Sequence, residues 1–186
     1  GLAALNALML HDRTLFITDT YVHDNPPAEL LAEIARMAAV EVQGFGLPPK
    51  VAFLSHSNFG SSSGPSAVKV REALAQVQAE APWLEVDGEM HGDVALDAAQ
   101  RRALMADSTL QGDATLLVLP NLDAANIAYN LIRVATGGVA IGPILMGLDQ
   151  PAHILTPASS SRRVVNMTAI AAVDAQIRAE LRTRNG

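Results

Sequence analysis

The first candidate site is a loop of small polar residues over 55–64, with the sequence SHSNFGSSSG. It lies between a short apolar run, which predicts a strand, and a predicted helix that starts at Gly64. Amide groups at the N-terminus of a helix bind phosphate and other anions, so the loop is a candidate ligand site, although a flexible capped turn has the same pattern. No Gly-Lys-Ser/Thr follows, which excludes a Walker A loop. The candidate ligand contacts are Ser55, Ser57, Asn58 and Ser61.

Acidic and histidine side chains crowd a second loop, 87–93 (DGEMHGD). In an extended segment, alternation would place Asp87, Glu89, His91 and Asp93 on one side. Their spacing matches no known zinc site, and loops of this composition are usually solvated turns. We therefore expect no metal site in this chain.

Two more segments follow predicted strands. The helix after Pro120 carries Asn126 and Asn130 on one face, with Tyr129 beside them. Buried amides of this kind are either structural hydrogen-bond partners or ligand contacts. Gly142 and Pro143 follow the apolar run 139–141, where such a tight backbone indicates close approach to a ligand or to another strand.

Two common enzyme motifs are absent from the sequence. There is no Gly-x-Ser-x-Gly nucleophile elbow, so no motif supports a serine hydrolase. There is also no Gly-x-Gly-x-x-Gly after a predicted strand, because the glycines at 44 and 46 follow a helix. The chain therefore has no fingerprint for nicotinamide dinucleotide binding.

The candidate loops require a sheet that brings them to one edge. Apolar runs predict strands at 8–10, 15–17, 51–54, 115–119 and 139–141, the first two forming a hairpin, with a polar loop after residues 84–86. Helical spacing predicts helices after Asn25, from Gly64, from a cap at Asp93 to Leu104, from a cap at Asp123, and over 164–181. This alternation predicts an α/β fold, a mostly parallel sheet flanked by helices, with ligands at the carboxyl ends of the strands.

The composition of the chain limits the classes of partner that it can bind. The net charge is −6, from 13 basic and 19 acidic residues, which argues against binding to nucleic acid or to an anionic membrane. Mean hydropathy is +0.21, but charges, prolines and glycines interrupt the apolar runs before the roughly 18 residues that a spanning helix needs. The absence of cysteine is typical of a cytoplasmic protein. Because the chain starts with glycine, we expect it to be a piece of a longer protein.

Four long stretches resemble one family. They are VAFLSHSNFGSSSGPSAVKVR (51–71), VDGEMHG (86–92), ATLLVLPNLDAANIAYN (114–130) and IGPILMGLDQPAHILTPASSSRRVVNM (141–167). In this order they are similar to the phosphate acetyl/butyryl transferase family and, within it, to the carboxyl-terminal domains of bacterial hybrid NADP-dependent malic enzymes.

The resemblance implies a phosphotransacetylase-like fold, related to that of isocitrate and isopropylmalate dehydrogenases, in which two domains bind acetyl-CoA in a cleft. It implies a homodimer through this domain and a higher oligomer in the full protein. Residues 1–47 would be partly first-domain material, 48–151 the second domain, and 152–186 a segment returning to the first. The malic domain, with its NADP and divalent metal, would lie outside this chain.

The chain departs from the pattern of active family members at two places. Active members carry an Asn-Asp-Leu-Ser-Arg-Gly run and then an Asp-Asp pair. Matching without a gap from Gly142 places their Ser-Arg on Thr156 and Pro157. The same matching places their Asp-Asp pair on Arg162 and Arg163. In this match, two groups are replaced: the arginine that would neutralise the charge of the phosphate, and the carboxylate pair that would position or deprotonate the thiol of CoA. Arg162 and its neighbour are either contacts for CoA phosphates or solvated helix residues.

Three functions are consistent with these departures. The first is a non-catalytic regulatory and oligomerisation domain that senses acetyl-CoA and inhibits malate decarboxylation. The second is an active phosphate acetyltransferase that uses substitutes such as Ser55, Ser57 and Arg162. The third is oligomerisation alone. We expect the first.

Overall fold

The computed structural model describes residues 1–157 and 159–185, with side chains through residue 179. Its strands are β1 (Ala3–Met9), β2 (Thr14–Thr18), β3 (Lys50–Leu54), β4 (Glu85–Met90), β5 (Leu116–Val118) and β6 (Val139–Met146). Its helices are α1 (Ala28–Gly44), α2 (Pro65–Glu80), α3 (Gly92–Leu96), α4 (Ala98–Leu104), α5 (Leu122–Thr136) and α6 (Ser161–Asn185). In the described part of the chain, no helix is long and apolar enough to cross a membrane.

The strands form a single mixed sheet in the order β4-β3-β5-β2-β1-β6. Neighbours among β4, β3, β5 and β2 are parallel, whereas β1 is antiparallel to both β2 and β6. A short connection can join only antiparallel strands, and the one between β1 and β2 is the predicted hairpin. The predicted α/β fold with a mostly parallel sheet is confirmed.

Helices cover both faces of the sheet and enclose two apolar clusters. The larger cluster joins α1 and α2 to one face, through residues such as Leu31, Val42 and Phe53. The smaller cluster joins α3 and α5 to the other face, through residues such as Met90 and Leu117. Because β1 lies between these clusters, its residues from Ala3 to Leu8 are all buried and show no apolar–polar alternation.

The largest departure from the expected elements is β4, where the sequence indicated a polar loop. Asp87 and Glu89 are both buried in this strand, at 8% and 0% exposure. The strand pairs in parallel with β3, and the pairing register shifts between Phe53 and Leu54. A strand with two acidic residues forms here because each carboxylate has hydrogen-bond partners from other segments of the chain.

Helix starts also differ from the expected ones. The predicted helix from Asp93 is divided into α3 and α4, because Asp97 is extended and its carboxylate accepts the N–H groups of the next turn. Helix α5 is capped by the Asn121 side chain rather than by Asp123. Helix α1 starts at Ala28, and the Asn25 side chain accepts a hydrogen bond from Lys69 instead of capping it.

The sheet extends across the domain division expected at residue 47. Strands β1 and β2 lie between β5 and β6, so they share a sheet with the strands of 48–151. The assignment of residues 1–47 and 152–186 to a first domain stays a prediction.

A fully buried arginine holds α3, α4 and the segment before β5 together. Arg101 is 0% exposed. Its guanidinium donates hydrogen bonds to Ser108 Oγ (3.1 Å) and to the carbonyl oxygens of Val94 (3.1 Å), Ala95 (3.2 Å), Leu110 (3.2 Å) and Gly112. Removal of the guanidinium would take a donor from each of these carbonyl groups, although the Ala95 carbonyl would keep the Ala114 N–H at 2.9 Å.

We expect Arg101→Ala to lower the free energy of unfolding by about 3 kcal/mol or more, because it leaves several buried carbonyl groups unpaired. Arg102→Ala is the matched control, since Arg102 is the next residue of the same helix and is exposed. It should change stability by less than about 0.5 kcal/mol. Urea unfolding measures both, and equal stability of the two variants would contradict the structural role of Arg101.

Candidate functional site

The loops that follow the parallel strands meet at the carboxyl edge of the sheet. Lys69, on α2, links two of them: its Nζ donates to the Asn25 side chain (2.6 Å), after β2, and to the Pro120 carbonyl (2.6 Å), after β5. Burial lowers the pKa of the Lys69 amine. This lysine therefore fixes the spacing of loops that the sequence places far apart.

The 55–64 loop is built around Ser57 and Glu89. Ser57 is fully buried, and its hydroxyl donates to the Glu89 carboxylate while accepting the Ser62 N–H at 3.0 Å. Its Oγ also lies 3.1 Å from Ser61 Oγ. The loop is thus a hydrogen-bonded unit and not a flexible turn.

Most amide groups of this loop point inward rather than toward a ligand. The Asn58 and Ser62 amides bond to serine hydroxyls, and the Phe59 and Gly60 amides bond to Glu89, at 2.7 and 2.9 Å. Further along, the amides at 63, 66 and 67 have no acceptor among the described residues. The donors available to an anion therefore include amides at the end of the loop and at the start of α2.

Glu89 and Arg71 form an ion pair behind the loop. Arg71 Nη1 donates to Glu89 Oε1 at 2.9 Å and to the Ser62 carbonyl at 3.0 Å. Burial by itself raises the pKa of the Glu89 carboxyl, but the hydrogen bonds from Ser57 and Gly60 and the charge of Arg71 outweigh it. The net pKa is below the ordinary value, so Glu89 is ionised at neutral pH.

The acidic and histidine side chains of 87–93 do not share a side of the chain. Gly88 has φ +146°, and the register shift beside it breaks the expected alternation. Asp87 bonds to Ser108 and Thr109, Glu89 to Ser57, His91 to the His56 carbonyl, and Asp93 to Gln100. In the described ranges, no three histidine or acidic side chains are placed to hold a metal ion together.

A second polar cluster joins α5 to β1 and to the loop after β2. Asn130 Nδ2 donates to Asn126 Oδ1 at 3.1 Å, and Asn126 Nδ2 donates to the Thr20 carbonyl at 3.2 Å. The Thr20 hydroxyl accepts from Asn6 Nδ2, and Asn6 is fully buried. The two α5 amides therefore have structural partners along a line that ends inside the sheet.

Gly142 and Pro143 lie inside β6 and not after it. Gly142 has φ +127°, and a Cβ built there would lie 2.6 Å from Asn6 Oδ1 and 2.9 Å from the Leu5 carbonyl oxygen. The close neighbour in the structure is therefore strand β1, which is one of the two expected explanations. The β1–β6 register shifts between Leu5 and Ala7, at the same place.

Tyr129 is buried on α5, within electrostatic range of Arg163 at the start of α6. Its side chain is 4% exposed, and the Arg133 guanidinium lies 5.6 Å from the centre of its ring. Burial raises the pKa of the Tyr129 phenol, and the positive charges of Arg133 and Arg163 partly oppose this. The Arg163 Nε is buried with no hydrogen-bond partner among the described residues.

The segment on which the resemblance places the catalytic run of active family members is largely exposed. The Thr156 amide donates to Ser159 Oγ at 3.1 Å, and Thr156, Pro157 and Arg162 are exposed. Within 1–157 and 159–179, no hydrogen bond joins these three residues to the 55–64 loop or to the α5 amides. The structure thus forms two separate clusters, Ser55, Ser57, Asn58 and Ser61 in one and Asn126, Tyr129 and Asn130 in the other, with electrostatic contact between the second cluster and Arg163.

A groove of about 520 Å³ lies elsewhere, between α1 and α6. Its lining is mainly apolar, with Val40, Phe45 and Val173 among the side chains, and Glu41 and Arg178 also line it. None of the predicted site residues lines it. The groove is therefore a surface separate from the carboxyl edge.

Sequence reasoning did not single out several residues that organise these clusters, namely Asn6, Lys69 and Arg71. One signal was present for Asn6, since a polar residue within a continuous apolar run is buried and must have a partner. No comparable signal marks Lys69 or Arg71, which occupy ordinary positions of an amphipathic helix.

The chain belongs to the phosphate acetyl/butaryl transferase family, whose model matches residues 2–172. It is 57% identical over 174 residues to the NADP-dependent malic enzyme of Escherichia coli, covering 93% of this chain and 23% of that protein. It is 39% identical over 169 residues to the phosphate acetyltransferase of Nitratidesulfovibrio vulgaris, covering 91% of this chain and 24% of that protein.

The same fold is present in a solved structure, the EutD phosphotransacetylase from Staphylococcus aureus. The TM-score is 0.88 at 34% identity, and the match covers 94% of this chain and 54% of that one. The chain thus spans about half of this phosphotransacetylase and about a quarter of each of the two curated relatives named above. The expected family resemblance, including its similarity to malic enzymes, is confirmed.

We expect Gly142→Ala to lower the free energy of unfolding by about 2 kcal/mol or more, because the new Cβ would clash with β1 and a positive φ disfavours alanine. Gly44→Ala is the control, since a Cβ there meets nothing within 4 Å. It should stay within about 1 kcal/mol of the unmodified protein. Thermal unfolding distinguishes them, and an unchanged melting temperature for Gly142→Ala would contradict the close approach to β1.

Proposed function

We propose that this chain is a non-catalytic regulatory and oligomerisation domain that senses acetyl-CoA. The proposal is supported by membership of the family together with the gap-free match, in which Thr156 and Pro157 fall where active members have Ser-Arg, and Arg162 and Arg163 where they have Asp-Asp. The fold of the family is kept while the groups that act on phosphate and thiol are replaced. A family fold without this chemistry is suited to binding.

The physical argument concerns the charges of the transition state. Transfer of an acetyl group from acetyl phosphate needs a cation for the phosphate and a base for the thiol of CoA. Proline and threonine supply no cation, and an arginine pair supplies no base. The loss of both functions costs several kcal/mol of transition-state stabilisation, at about 1.4 kcal/mol per tenfold in rate.

Binding of acetyl-CoA is supported by positive and amide donors near the carboxyl edge. Arg71 is 34% exposed and lies one helical turn after the unpaired amides at the start of α2. Arg133 and Arg163 lie around Tyr129 on the other side of the candidate site. These groups suit the phosphates of a CoA ligand, since guanidinium groups bind phosphate well.

The proposal extends to the whole protein, with a malate-decarboxylating domain outside this chain that carries NADP and a divalent metal. The relatives named as malic enzymes support this, because the chain covers only 23% of the Escherichia coli protein. In the whole protein that contains this chain, acetyl-CoA bound to this domain would reduce the rate of malate decarboxylation. We propose the cytoplasm as its location.

An active phosphate acetyltransferase is the second candidate. The observation that favours it is the 39% identity to a protein named phosphate acetyltransferase. In this alternative, Ser55, Ser57 and Arg162 would take over the lost functions. The orientation of Ser57 opposes the alternative, since its buried hydroxyl donates to Glu89 and is not free to act on a ligand.

The experiment is a titration of the intact polypeptide containing this chain with acetyl-CoA, together with assays of both reactions. We expect binding heat, a lower rate of malate decarboxylation with acetyl-CoA present, and no acetyl transfer from acetyl phosphate to CoA. Absence of heat together with an unchanged malate rate would contradict regulation. Acetyl transfer that is lost in Arg162→Ala would favour the second candidate.

Oligomerisation is supported by the outward face of α5. Ile127, Leu131 and Val134 are 57%, 65% and 75% exposed and recur at helical spacing on one face. In an antiparallel pair of α5 helices, the same three side chains of each copy would face those of the other, so the apolar stripe would be covered on both copies. This arrangement is complementary to itself, and we propose a second copy of the chain as its partner.

A groove beside this face supports the same pairing. It measures about 470 Å³ and includes Leu10, Leu15 and Leu131 in its lining. The partner copy could insert an apolar side chain into it. Because the groove and the stripe share Leu131, they form one continuous apolar surface.

We expect Leu131→Asp to convert the dimer to a monomer, because it places an unpaired charge at the centre of the apolar contact. Trp83→Asp is the control, since Trp83 is 56% exposed but lies between α2 and β4. It should keep the dimer. Sedimentation equilibrium of the chain measures the mass, and a Leu131→Asp protein that stays dimeric would show that α5 is not the contact.

A further inference from the structure

Glu89 holds the 55–64 loop through both its main chain and its side chain. Its carbonyl oxygen accepts the Phe59 N–H at 2.7 Å. Its Oε1 accepts the Gly60 N–H at 2.9 Å, the Ser57 hydroxyl, and Arg71 Nη1 at 2.9 Å. One residue of β4 therefore fixes the middle of a loop that is more than twenty residues earlier in the sequence.

The same carboxylate sets the direction of Arg71. Only Nη1 of this guanidinium is used, for Glu89 and the Ser62 carbonyl. Its other N–H groups have no partner among the described residues, and the side chain is 34% exposed. Because Glu89 anchors one nitrogen, the remaining donors of the planar group have a fixed direction.

The Glu89 carboxylate that anchors Arg71 is charged and buried, so it requires partners within the protein. Glu89 is 0% exposed, and its Oε2 is buried with no hydrogen-bond partner in the described part of the chain. A buried carboxylate is tolerated when it is paired and hydrogen-bonded. A neutral amide of the same shape would keep the volume but would lose the attraction for the guanidinium.

We infer that Glu89 is a positioning residue: it locks the 55–64 loop and aims Arg71 so that the free donors of Arg71 and the unpaired amides at the start of α2 receive a phosphate group of the ligand. This inference rests on the proposed binding of acetyl-CoA. It adds a residue that does not itself contact the ligand and that acts through Arg71.

The test compares the variants Glu89→Gln and Arg71→Met with a control, Glu85→Gln. Glu85 is in the same strand as Glu89, but its carboxylate pairs with Lys50 and not with the 55–64 loop. Acetyl-CoA affinity is measured by calorimetry on the full protein, and exchange of the Gly60 and Ser62 amides is measured by hydrogen exchange without ligand. We expect Glu89→Gln and Arg71→Met each to weaken acetyl-CoA binding about tenfold or more, with no further loss in the double variant because they act as a unit. We also expect at least tenfold faster exchange at Gly60 in Glu89→Gln, and neither effect in Glu85→Gln.

Each outcome has a distinct meaning. Faster exchange at Gly60 with unchanged affinity would overturn the positioning role and leave Glu89 as a structural residue. Unchanged exchange would overturn the locking of the loop. If the unmodified protein binds no acetyl-CoA, the proposed function fails, while the exchange rates still decide whether Glu89 orders the loop.

If Glu89→Gln does not fold, Arg71→Met alone tests the affinity, since Arg71 is only partly buried. Unchanged binding of acetyl-CoA in this variant would overturn the inference.

Discussion

The pairing of the buried Glu89 carboxylate determines how the 55–64 loop and α2 meet at the carboxyl edge of the sheet. An ionised group with no exposed surface must receive hydrogen bonds from the protein, and the nearest donors are in the 55–64 loop and on α2. To supply them, the loop closes over β4 and directs its amides inward. The same requirement explains why Ser57 is buried and why Arg71 turns toward the sheet.

A similar constraint acts on the other half of the sheet, where a buried polar side chain also needs partners. The antiparallel strand β1 is buried from Ala3 to Leu8, yet it carries Asn6, whose side-chain N–H groups must find a partner. The partner is Thr20, and from there a chain of hydrogen bonds reaches Asn126 and Asn130 on α5. Gly142 allows β6 to lie close beside Asn6. Polar groups buried in strands thus determine where the neighbouring loops and helices can lie.

This constraint also explains which features the sequence could predict. Short apolar runs were enough for β3 and β5, because a strand buried on both faces needs no alternation. Strand β4 was predicted as a polar loop, since Asp87 and Glu89 are acidic and their partners, Ser108 and Ser57, are distant in sequence. A local pattern cannot distinguish a solvated carboxylate from a paired one.

The candidate site illustrates the same limit. A close approach at Gly142 was predicted correctly, but whether its neighbour is a ligand or β1 depends on strand pairing, which a local motif does not contain. Arg101 and Arg102 are adjacent arginines on α4, and only the fold makes the first fully buried and the second exposed. Family resemblance adds information that local patterns lack, because it carries the pairing of whole segments.

The geometry of the loop bears on the choice between binding and catalysis. A nucleophile or a general acid needs a side chain that is free to move a proton at the ligand, whereas Ser57, fully buried, donates to Glu89 and accepts from Ser62. An anion receptor needs only donors held in place before the ligand arrives, so that little ordering is required on binding. The inward-facing loop, the anchored Arg71 and the exposed segment around Thr156 and Pro157 meet the second requirement and not the first. In the proposed function, a family domain without its catalytic groups keeps a receptor for the ligand, and the proposed dimer contact on α5 is a second surface through which that binding would act.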